Sequence, residues 1–424
     1  MSNNLKIGFA GLSHLGITTS IAVSKFKELR IIAFDNDVNL INKINKSRKI
    51  TIKEPKINTY LNKYYENINY VSDPNELKKC DIVYISKDTE TNRDNMANLT
   101  DLNDYVNYII KFLNKKTILV IHSQIQLNFM TNINWSKNKL FYHVETLIFG
   151  KALDRVLNPE RIIIGCNDIN KNLPIIFKKY INLFNSKLIL MNYQSAELTK
   201  ITINLFLISS ISITNKISEL CEKNEADWSN IREAIISDKR IGKYSYTNPG
   251  LGISGGNLER DLMAIMNINK KFNINNSYFE SIKKISVQRK KWILETLSNL
   301  NYYDNESLKI GILGVCYKSN TNSIKNSAGI EVLKKFKKSL IKFYDPLVLK
   351  SDIINLHNRV KNLKDIFYNI DILIITNDWS IYSKLTQSQL KKIKDKIIID
   401  PFNILNKFNL KKLGIRHIIL GKKI

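Results

Sequence analysis

The sequence predicts an α/β protein in which two parallel-sheet domains flank a helical middle. Three observations support this fold class. Short β-branched runs alternate with segments of helical spacing, a long amphipathic stretch follows them, and the opening strand–turn pattern then recurs later in the chain. At 424 residues the chain is long enough for two or three domains, and 44% of its residues are hydrophobic, which is ample for buried cores.

The first domain opens with a strand, a glycine turn and a helix. Residues 6–10 (KIGFA) form an apolar run, and the sequence HLGITTSIAVSKF beyond the turn has helical character. A second strand is predicted over Leu29–Phe34 and ends at Asp35. Strand and helix patterns continue to alternate, which implies a parallel sheet whose faces are covered by helices. The further predicted strands are Ile82–Ile85, Thr117–Ile121 and Arg161–Gly165.

The middle of the chain carries a single long helical pattern. Residues 195–224 (SAELTKITINLFLISSISITNKISELCEKN) are amphipathic throughout, and Ser195 is of the residue type that caps helix N-termini. The stretch is too long and too continuous for a helix that crosses between neighbouring strands. We therefore interpret it as a connector between two domains.

A second strand–turn unit begins at Leu308. Its sequence LKIGILGVCYK repeats the opening LKIGFAGLSHL almost position for position, and a helix is predicted over Ala328–Lys338. The strands predicted around this helix are Leu340–Tyr344, Ile370–Thr376 and Lys396–Ile399. Two sheet domains and a helical domain between them account for the whole chain. Their predicted boundaries are residues 1–190, 191–300 and 301–424.

Composition predicts a cytoplasmic protein without a membrane span or a metal site. No run of about 18 uninterrupted apolar residues occurs, and the N-terminus enters a strand directly, so neither a signal peptide nor a membrane partner is expected. Four scattered cysteines without a CxxC pair fit a reducing cytosol. The five histidines show neither HxH nor HExxH spacing, so no metal is expected.

The formal net charge of +27 raises nucleic acid as a class of partner. The lysines, however, are spread along the whole chain, and the sequence contains no aromatic-interleaved basic motif and no nucleic-acid-binding module. We therefore expect a solvated basic surface and no nucleic-acid partner. A substrate that carries phosphate would still be attracted by this positive field.

The opening glycine turn has the pattern of a dinucleotide-binding loop. The segment GLSHLG spans residues 11–16 between a predicted strand and a predicted helix, and Asp35 follows 19 residues beyond Gly16. Gly11 would form the tight turn and Gly16 would let the helix pack on the strand, whereas Ser13 is tolerable only if its side chain points away from the pyrophosphate. Asp35 would accept hydrogen bonds from the adenosine ribose hydroxyls, which favours NAD over NADP. The predicted cofactor-binding residues of this region are Gly11, Ser13, His14, Leu15, Gly16 and Asp35.

Glycine is concentrated in one further segment, NPGLGISGGNLERD at residues 248–261. Four of the 15 glycines in the chain lie in one seven-residue stretch of this segment, residues 250–256. Such a run propagates neither a helix nor a strand at low cost, because each glycine loses extra backbone entropy on folding. Glycine here permits close approach of the backbone, typically to a ligand, so the segment is predicted to be a ligand-binding loop.

This loop resembles the active-site loop of the nucleotide-sugar dehydrogenases, the family of UDP-glucose and UDP-N-acetylmannosamine 6-dehydrogenases. Three more segments carry the resemblance: AELTKITINLFL in the long helix, KLFYHVETLIFGKALDRVLNPERIIIG around 140–165, and GVCYKSNTNSIKNS at 314–327. They occur in the family's order, and the resemblance covers nearly the whole chain. The resemblance implies two Rossmann-like domains joined by a long central helix and a small helical domain. It also implies an NAD cofactor, a nucleotide-sugar substrate and a homodimer paired through the long helix.

The resemblance assigns catalytic roles to residues on matching motif positions. Lys200 and Asn204 share one face of the long helix and match the family's lysine–asparagine pair, in which the lysine shuttles the proton of the substrate hydroxyl. Thr89 matches a threonine that helps to hold the catalytic water. The other catalytic positions that the resemblance implies are Glu145, the first glutamate of its segment, and Asp261, the aspartate that closes the glycine loop.

Further residues are assigned to the substrate and the cofactor by the same resemblance. Arg240 matches an arginine that contacts the sugar across a subunit boundary, and Lys318 matches a substrate-contacting lysine. Thr321 and Ser327 fall on further positions of the motif that contains Lys318. Ser123 matches the serine of a Glu-Ser-Thr turn, which here reads His-Ser-Gln, and joins the predicted cofactor site. In the glycine loop the predicted substrate-binding residues are Gly250, Gly252 and Gly255.

The chain departs from the family pattern at positions that carry the chemistry. Asn257 occupies the position of the nucleophilic cysteine. Phe149 replaces the second glutamate of its segment, and Lys325 replaces an arginine, which keeps the charge but loses the bidentate geometry. The other departures are Asp88 and Glu90, which replace the two prolines around Thr89, and Phe402, which stands where the family often carries arginine.

The missing cysteine matters because the family oxidises a primary alcohol to a carboxylate in two hydride transfers. The first transfer gives an aldehyde, which the cysteine traps as a thiohemiacetal whose oxidation gives a thioester for water to hydrolyse. An amide side chain cannot replace a thiolate in that step.

Three interpretations of the function remain open. They are one two-electron oxidation of a nucleotide sugar (or direct oxidation of an aldehyde hydrate), the full four-electron oxidation by an altered route, and a non-catalytic homologue that binds nucleotide or a protein partner.

Overall fold

A computed structural model describes residues 4–89, 99–254, 256–336, 340–348 and 358–423. The chain divides into two compact units, residues 1–203 and residues 204–424, which we call the first unit and the second unit. Two positions singled out above, Glu90 and Gly255, lie outside the described residues.

The first unit contains eight described strands that alternate with helices along the chain. They are β1 (Leu5–Ala10), β2 (Leu29–Phe34), β3 (Ile68–Val71), β4 (Ile82–Ile85), β5 (Ile118–Ile121), β6 (Leu140–His143), β7 (Arg161–Cys166) and β8 (Lys187–Asn192). Every run predicted as a strand in this part of the chain forms one, with ends that differ from the prediction by at most one residue. Three strands, β3, β6 and β8, are not predicted from the sequence.

These strands form one sheet in the order β3-β2-β1-β4-β5-β6-β7-β8. Neighbouring strands are parallel except for β6 and β7, which pair antiparallel with Tyr142 opposite Gly165. The predicted parallel sheet is therefore confirmed with one exception. A β-branched run specifies a strand, but it does not specify the direction in which that strand enters the sheet.

Helices pack on both faces of this sheet. Successive side chains of a strand point to opposite faces, so Phe9 and Ala10 of β1 belong to two different hydrophobic clusters. The helices of the first unit are α1 (His14–Val23), α2 (Val38–Ser47), α3 (Ile57–Tyr64), α4 (Leu99–Ile110), α5 (Ala152–Leu157) and α6 (Ile175–Asn182). Buried side chains of α1 belong to one cluster and those of α4 to the other, which places the sheet between two helical layers.

The predicted connector is helix α7 (Tyr193–Lys223), which has 31 residues. It begins before the predicted cap Ser195, so that part of the prediction is wrong. The side-chain oxygen of Asn192 accepts a hydrogen bond from the Ser195 N–H (2.8 Å) and thus provides the cap. The two polar residues are three positions apart, and only the backbone course shows which of them precedes the helix.

In length and composition α7 also meets the criterion for a membrane-crossing helix, with a mean hydropathy of 1.3 over 18 residues. Scattered polar residues interrupt the apolar run without lowering its average far, so the helix meets the criterion although it has no 18 uninterrupted apolar residues. A long core helix of a soluble protein meets the same criterion.

The second unit begins with helices and continues with a sheet of six described strands. Its helices before the sheet are α8 (Trp228–Ser237), α9 (Asn257–Lys271), α10 (Ser277–Lys290) and α11 (Trp292–Asn299). The elements that follow are β9 (Ile310–Leu313), α12 (Ala328–Lys335), β10 (Ile341–Tyr344), β11 (Asn358–Arg359), β12 (Ile372–Ile375), α13 (Gln387–Leu390), β13 (Ile397–Ile399) and β14 (Arg416–Ile418). Neighbouring strands are all parallel, in the order β11-β10-β9-β12-β13-β14.

The two sheets share one strand order, which confirms the predicted repeat. In each, the first strand lies between the second and the fourth of its series: β1 between β2 and β4, and β9 between β10 and β12. Ligands of open parallel sheets bind beyond the carboxyl ends of the strands at such a switch point. The fold thus places the two glycine turns, after β1 and after β9, where ligands are expected.

Candidate functional site

Two glycines shape the turn between β1 and α1. Gly11 has a φ of +93°, and a Cβ on it would lie 2.8 Å from the backbone nitrogen of Lys87. A Cβ on Gly16 would lie 1.9 Å from the carbonyl oxygen of Gly11. The turn and the start of the helix therefore pack at a distance that only glycine allows, which is the role predicted for both residues.

Ser13 precedes α1 but does not cap it through its side chain. Its hydroxyl donates to the carbonyl oxygen of Ser86 (2.9 Å) and accepts from the Asp88 N–H (3.0 Å). The side chain thus engages the segment after β4. In the part of the chain that the structure describes, no side chain caps the first turn of α1, and an anionic diphosphate fits such a helix terminus.

Asp35 lies just beyond β2, beside the glycine turn. Its carboxylate accepts hydrogen bonds from the Leu12 N–H (2.7 Å) and the Asp37 N–H (2.9 Å). The residue is partly exposed, and a carboxylate offers about four acceptor positions, so it can also accept from ribose hydroxyls. The residues of the first unit therefore fit a bound dinucleotide.

The repeated turn in the second unit differs from the first turn in the surroundings of its first glycine and of its aspartate. Gly314 has a φ of +90°, but a Cβ on it would lie 2.2 Å from the Oδ1 of Asn377, whose side chain covers the turn. Asp345, which corresponds to Asp35, is fully buried. Burial raises its pKa, but hydrogen bonds from backbone N–H groups outweigh this effect and hold the pKa below its ordinary value. The donors are Val315, Cys316, Leu347 and Val348. Asp345 therefore stabilises the fold and is not placed to bind a ribose.

Lys200 and Glu145 form an ion pair in the first unit. The Lys200 Nζ lies 3.1 Å from the Glu145 Oε2, and the two side chains are 11% and 17% exposed. The other carboxylate oxygen of Glu145 accepts the Leu147 N–H. Both residues were predicted to be catalytic, and the fold brings them together across 55 positions of sequence.

Two histidines missed by sequence reasoning lie within electrostatic range of this ion pair. His122 follows β5 and His143 ends β6, and their rings stack with centroids 4.9 Å apart. Burial and the charge of Lys200 lower the pKa of His122 to about 3. Burial and His122 lower the pKa of His143, against the opposing effect of Glu145. Both rings are therefore uncharged at neutral pH.

Stability is expected to fall as the pH drops below about 6.5, the usual pKa of histidine. Near that pH the unfolded chain protonates both residues, whereas the folded chain keeps His122 uncharged down to a pH of about 3. The unfolded state therefore gains protons, which costs the folded state at most about 1.4 kcal/mol per pH unit and per histidine. Thermal unfolding between about pH 7.5 and about pH 5 should show a shallower dependence in His122→Gln than in the unsubstituted chain, and equal slopes would contradict the expectation.

Glu54 is a second residue that sequence reasoning missed. Its side chain is 1% exposed and lies 3.4 Å from the His14 Nε2. The carboxylate accepts the N–H groups of Gly150 (3.0 Å) and Ala152 (2.7 Å), and the His14 ring packs 4.5 Å from the Phe149 ring. Glu54 thus ties the first residue of α1 to the segment of Phe149. No sequence signal marks this residue, because its partners lie 40 to 98 positions away.

Thr89 and Ser123 lie on segments that follow neighbouring strands. The Thr89 hydroxyl donates to the carbonyl oxygen of Gln124 (2.8 Å), which links the segments after β4 and β5. Ser123 is fully buried, and its hydroxyl donates to the carbonyl oxygen of Ile85 (3.2 Å). Main-chain acceptors thus orient both hydroxyls, and the assignments of these residues to the catalytic water and to the cofactor stay predictions.

Asn204 and Asp261 form a hydrogen-bonded pair in the second unit. The Asn204 Nδ2 donates to one carboxylate oxygen of Asp261 (2.5 Å), and the Arg260 Nε lies 3.2 Å from the other. Asp261 is 1% exposed and Arg260 8% exposed. Because Asp261 takes the amide hydrogen, Asn204 offers its amide oxygen as an acceptor. Arg260 was not predicted, and its burial beside a carboxylate is what identifies it.

The glycine loop is held against two helices before it reaches Asn257, the first residue of α9. The Gly250 N–H donates to the Asn215 Oδ1 (2.8 Å). Gly252 has a φ of +75°, and a Cβ on it would lie 2.5 Å from the carbonyl oxygen of Ser286. Packing on α10 therefore gives Gly252 a structural reason, and its assignment to the substrate stays a prediction. A Cβ on Gly250 would have no other atom within 4 Å, so packing does not explain this glycine. Its assignment to the substrate stays a prediction.

The segment after β9 also reaches this loop. A Cβ on Gly256 would lie 3.8 Å from the Lys325 Nζ, and the Asn326 amide donates to Glu259, two residues beyond Asn257. The replacement of arginine by lysine at 325 thus lies beside the replacement of cysteine at 257. Both changes are visible in the sequence, but only the fold makes them neighbours.

The remaining predicted substrate residues have identifiable local partners. Arg240 is 89% exposed and pairs with Asp238 (2.6 Å). The Lys318 Nζ lies 5.6 Å from the centre of the Tyr317 ring. Ser327 caps α12 by accepting the Gly329 N–H (3.2 Å), which gives that motif position a structural reason.

Two further positions of the sequence analysis have structural roles in the second unit. The Thr321 hydroxyl accepts the Ser323 N–H (3.1 Å), and Phe402 packs against the hydrophobic core. In the described ranges, no group of three or more histidine, cysteine, aspartate or glutamate side chains could hold a metal ion.

Three family models match the chain in consecutive order. They describe the UDP-glucose/GDP-mannose dehydrogenase family: its NAD binding domain over residues 5–184, its central domain over 194–287 and its UDP binding domain over 311–407. Together they cover most of the chain. The match to the first of them agrees with the fit of the first unit to a dinucleotide.

Individual proteins give the same result over the full length. The UDP-glucose 6-dehydrogenase of Rickettsia bellii is 30% identical, and the match covers 99% of this chain and 100% of that protein. Two solved structures, each 19% identical, share the fold. A UDP-N-acetylmannosamine dehydrogenase of Pyrococcus horikoshii has a TM-score of 0.80 over 99% of both chains. A UDP-glucose dehydrogenase of Pyrobaculum islandicum has a TM-score of 0.79 over 91% of this chain and 92% of that one.

Proposed function

Because the chain belongs to the UDP-glucose/GDP-mannose dehydrogenase family, we propose that it oxidises a nucleotide sugar by one two-electron step. The family makes it an NAD-dependent oxidoreductase that acts on a nucleotide sugar. The observation that carries the two-electron proposal is the partly buried Lys200–Glu145 pair combined with an amide at Asn257. Groups for proton transfer are present, whereas the thiol for the second half of the family's reaction is missing.

NAD, when bound, accepts the hydride that leaves the substrate carbon. Gly11 and Gly16 keep the glycine turn close to α1, whose first turn would hold the diphosphate. Asp35 would accept hydrogen bonds from the adenosine ribose. The Ser13 side chain supports the binding of the diphosphate at this turn. Its hydroxyl is hydrogen-bonded to the segment after β4, so it does not cap the first turn of α1.

Lys200 removes the proton of the substrate hydroxyl in this proposal. Transfer of a proton from Lys200 to Glu145 across their 3.1 Å contact frees the amine, which then accepts the hydroxyl proton as the carbon loses its hydride. The products are an aldehyde, reduced cofactor and one proton held by the pair. Asn204 lies one helical turn beyond Lys200 and presents its amide oxygen to the substrate, oriented by Asp261.

Asn257 ends the reaction at the aldehyde level. It begins α9, so its amide lies at a helix terminus where hydrogen-bond donors accumulate, but it has no nucleophile to form a thioester. Oxidation of the hydrated aldehyde is the remaining route to an acid. That route needs water, which we expect Thr89 to help to hold.

The nucleotide end of the substrate is assigned to the C-terminal part of the chain. The model for a UDP binding domain over 311–407 supports this assignment, as does Lys318 in the segment after β9. We propose domain boundaries at 1–190, 191–300 and 301–424, which the three matched ranges support.

A homodimer is proposed from the surface of α7. Four apolar side chains on one face of this helix are exposed: Phe206, Ile213, Ile217 and Leu220. Their spacing repeats along the helix as in paired helices, and a second copy of the chain would cover them. Arg240, exposed in the single chain, is then available to the sugar bound by the partner.

The decisive experiment counts the NADH formed per sugar. Purified protein is incubated with NAD and UDP- and GDP-sugars, while NADH absorbance and product mass are followed. One NADH per sugar and an aldehyde support the proposal, and two NADH with a uronate support the altered four-electron route. No NADH from any sugar, with nucleotide binding retained, would overturn the proposal and leave a non-catalytic binding protein.

Asn257→Cys is expected to raise the yield from one NADH per sugar to two, with a uronate as product. The reason is that a thiol at the start of α9 can form the thiohemiacetal that an amide cannot. Asn257→Ser is the matched control, since it changes size in the same way without adding a thiol, and should stay at one NADH. Equal yields in both variants, with folding and NAD binding retained, would show that the surrounding site also lacks what the second oxidation needs.

Asp35→Asn is expected to weaken NAD binding about 10- to 100-fold, because a hydrogen bond to a charged acceptor contributes about 1.5–3 kcal/mol. The asparagine oxygen can still accept the Leu12 N–H, so the turn should persist. Asp37→Asn, which alters the exposed cap of α2 two residues away, is the control. Calorimetric titration with NAD measures both variants, and equal affinities would remove Asp35 from the cofactor site.

A further inference from the structure

We propose that Glu54 is a positioning residue through which NAD, bound at the glycine turn after β1, orders the segment that carries Glu145. This inference rests on the proposed function, in which Glu145 accepts the proton of Lys200. The Glu54 side chain is 1% exposed, and a buried carboxylate is costly unless hydrogen-bond donors surround it. Its donors come from two segments, the start of α1 and residues 145–152, and Glu54 has no part in the reaction described above.

The backbone around Glu54 is fixed by hydrogen bonds ahead of α3. The Asn58 side chain bonds to both backbone groups of Ile50: its Oδ1 accepts the N–H (2.7 Å) and its Nδ2 donates to the carbonyl oxygen (3.1 Å). The N–H of Ile57, the first residue of α3, donates to the carbonyl oxygen of Glu54 (3.2 Å). The Glu54 carboxylate therefore extends from an anchored stretch of chain and can act as a fixed acceptor.

One oxygen of this carboxylate serves both segments. The Glu54 Oε2 accepts the Gly150 N–H (3.0 Å) and lies 3.4 Å from the His14 Nε2, while Oε1 accepts the Ala152 N–H (2.7 Å). The His14 contact is at the long end of the range for a hydrogen bond, so a small displacement of the first residue of α1 makes or breaks it. Because the oxygen is shared, such a displacement also changes the bond to Gly150.

A tight turn connects these bonds to Glu145. The Lys151 N–H donates to the carbonyl oxygen of Ile148 (2.9 Å), and Gly150 within this turn has a φ of +86°. One residue before the turn, the Leu147 N–H donates to one oxygen of the Glu145 carboxylate. The other oxygen of that carboxylate forms the ion pair described above. A continuous series of contacts thus runs from the first residue of α1 to the proposed proton acceptor.

NAD acts at the beginning of this series. The diphosphate is expected at the first turn of α1, which begins with His14. The His14 ring meets the Glu54 carboxylate and packs 4.5 Å from the Phe149 ring, so a ligand that restrains His14 also restrains the turn around Gly150. The proton acceptor Glu145 is therefore set in place once the hydride acceptor is bound.

Hydrogen exchange of the full chain, with and without NAD, tests this link in the absence of sugar. NAD should slow backbone exchange in residues 11–16, where it binds, and also in residues 145–152 by at least about 5-fold, the lower end of typical coupling between sites. Glu54→Gln should abolish the second effect and keep the first. The reason is that a glutamine amide offers one acceptor oxygen and turns its N–H groups towards other donors.

Two further variants separate this link from a merely structural role. His14→Ala removes the contact to the cofactor turn but leaves the backbone bonds of Glu54. Exchange without NAD should then stay as in the unsubstituted protein, while the effect of NAD on residues 145–152 is lost. Glu197→Gln is the matched control, because Glu197 is fully buried and likewise accepts two backbone N–H groups (2.7 Å and 2.8 Å), here from the segment after β5. It should keep the effect of NAD.

Three results would overturn the inference. The first is slowing at residues 11–16 alone in the unsubstituted protein. The second is an undiminished effect of NAD on residues 145–152 in Glu54→Gln or His14→Ala. The third is loss of that effect in Glu197→Gln as well, because general loosening of the first unit would then account for it.

Turnover supplies the functional readout. At saturating NAD and nucleotide sugar, Glu54→Gln should lower kcat by up to about 10²-fold with little change in the KM of the sugar, because Glu145 is misplaced while the sugar contacts remain. Glu54→Asp, which keeps the charge, should recover part of kcat, and an unchanged kcat in Glu54→Gln would contradict the inference. If no sugar yields NADH, the proposed function fails, whereas hydrogen exchange still decides whether Glu54 links the two segments.

Discussion

Lys200→Met is expected to lower kcat for NADH formation by about 10²- to 10⁴-fold, the usual contribution of a positioned acid–base group. Methionine keeps the length and most of the volume of lysine, so packing of α7 should change little. KM and NAD affinity should stay near their original values, because the lysine acts in the transition state of proton removal rather than in binding.

The control for this variant lies on the same helix. Lys216→Met removes a lysine whose side chain is 52% exposed and pairs with Glu219, and it should leave kcat unchanged. A Lys200→Met protein that folds, binds NAD and turns over at the original rate would refute the assignment of Lys200. A loss of NAD binding in step with kcat would instead indicate a structural role.

Glu222→Ala is expected to lower the free energy of unfolding of the second unit by about 3–5 kcal/mol, the usual effect of removing one partner from a buried ion pair. Glu222 and Arg289 are 4% and 5% exposed. The carboxylate also accepts the Trp292 Nε1–H (2.8 Å) and the Gly421 N–H (2.8 Å). Its loss therefore leaves a buried guanidinium and two further donors without their acceptor, which is costly.

Glu219→Ala is the matched control, because Glu219 lies one turn earlier on α7 and is 29% exposed in its pair with Lys216. Surface ion pairs contribute about 0–1 kcal/mol, so this variant should unfold almost as the original does. Denaturant titration followed by tryptophan fluorescence measures both, and Trp292 reports directly on the site. Similar midpoints for the two variants would show that the buried network adds little.

Much of the fold could be predicted from the sequence because its signals are local. The β-branched runs at Leu29–Phe34 and Ile82–Ile85 form strands with the predicted ends, and the repeated LKIG pattern does mark a second sheet of the same strand order. The antiparallel pairing of β6 with β7 could not be predicted, since strand direction depends on the course of the chain between strands. The cap of α7 is Asn192 and not the predicted Ser195, because the backbone course decides which of two nearby polar residues precedes the helix.

The candidate site divides in a similar way. Gly11, Gly16 and Asp35 carry a short-range pattern whose spacing follows from the geometry of a strand–turn–helix unit, and the structure places them together. His122 and Glu54 carry no such pattern. Their importance lies in contacts with residues 21 to 98 positions away, and those contacts depend on sheet register and on loop packing.

The sequence by itself determined which chemical groups the chain contains. These are the glycine turn of a dinucleotide-binding loop with Asp35, a lysine and an asparagine on one helix face, and an amide at Asn257 where a thiol is expected. The tertiary structure alone decided their surroundings: Glu145 within 3.1 Å of Lys200, the stacked rings of His122 and His143, and Lys325 next to the loop of Asn257. The physical reason is range. Residue type and periodicity act over a few positions, whereas the charge balance and burial that set reactivity arise from residues brought together only by folding.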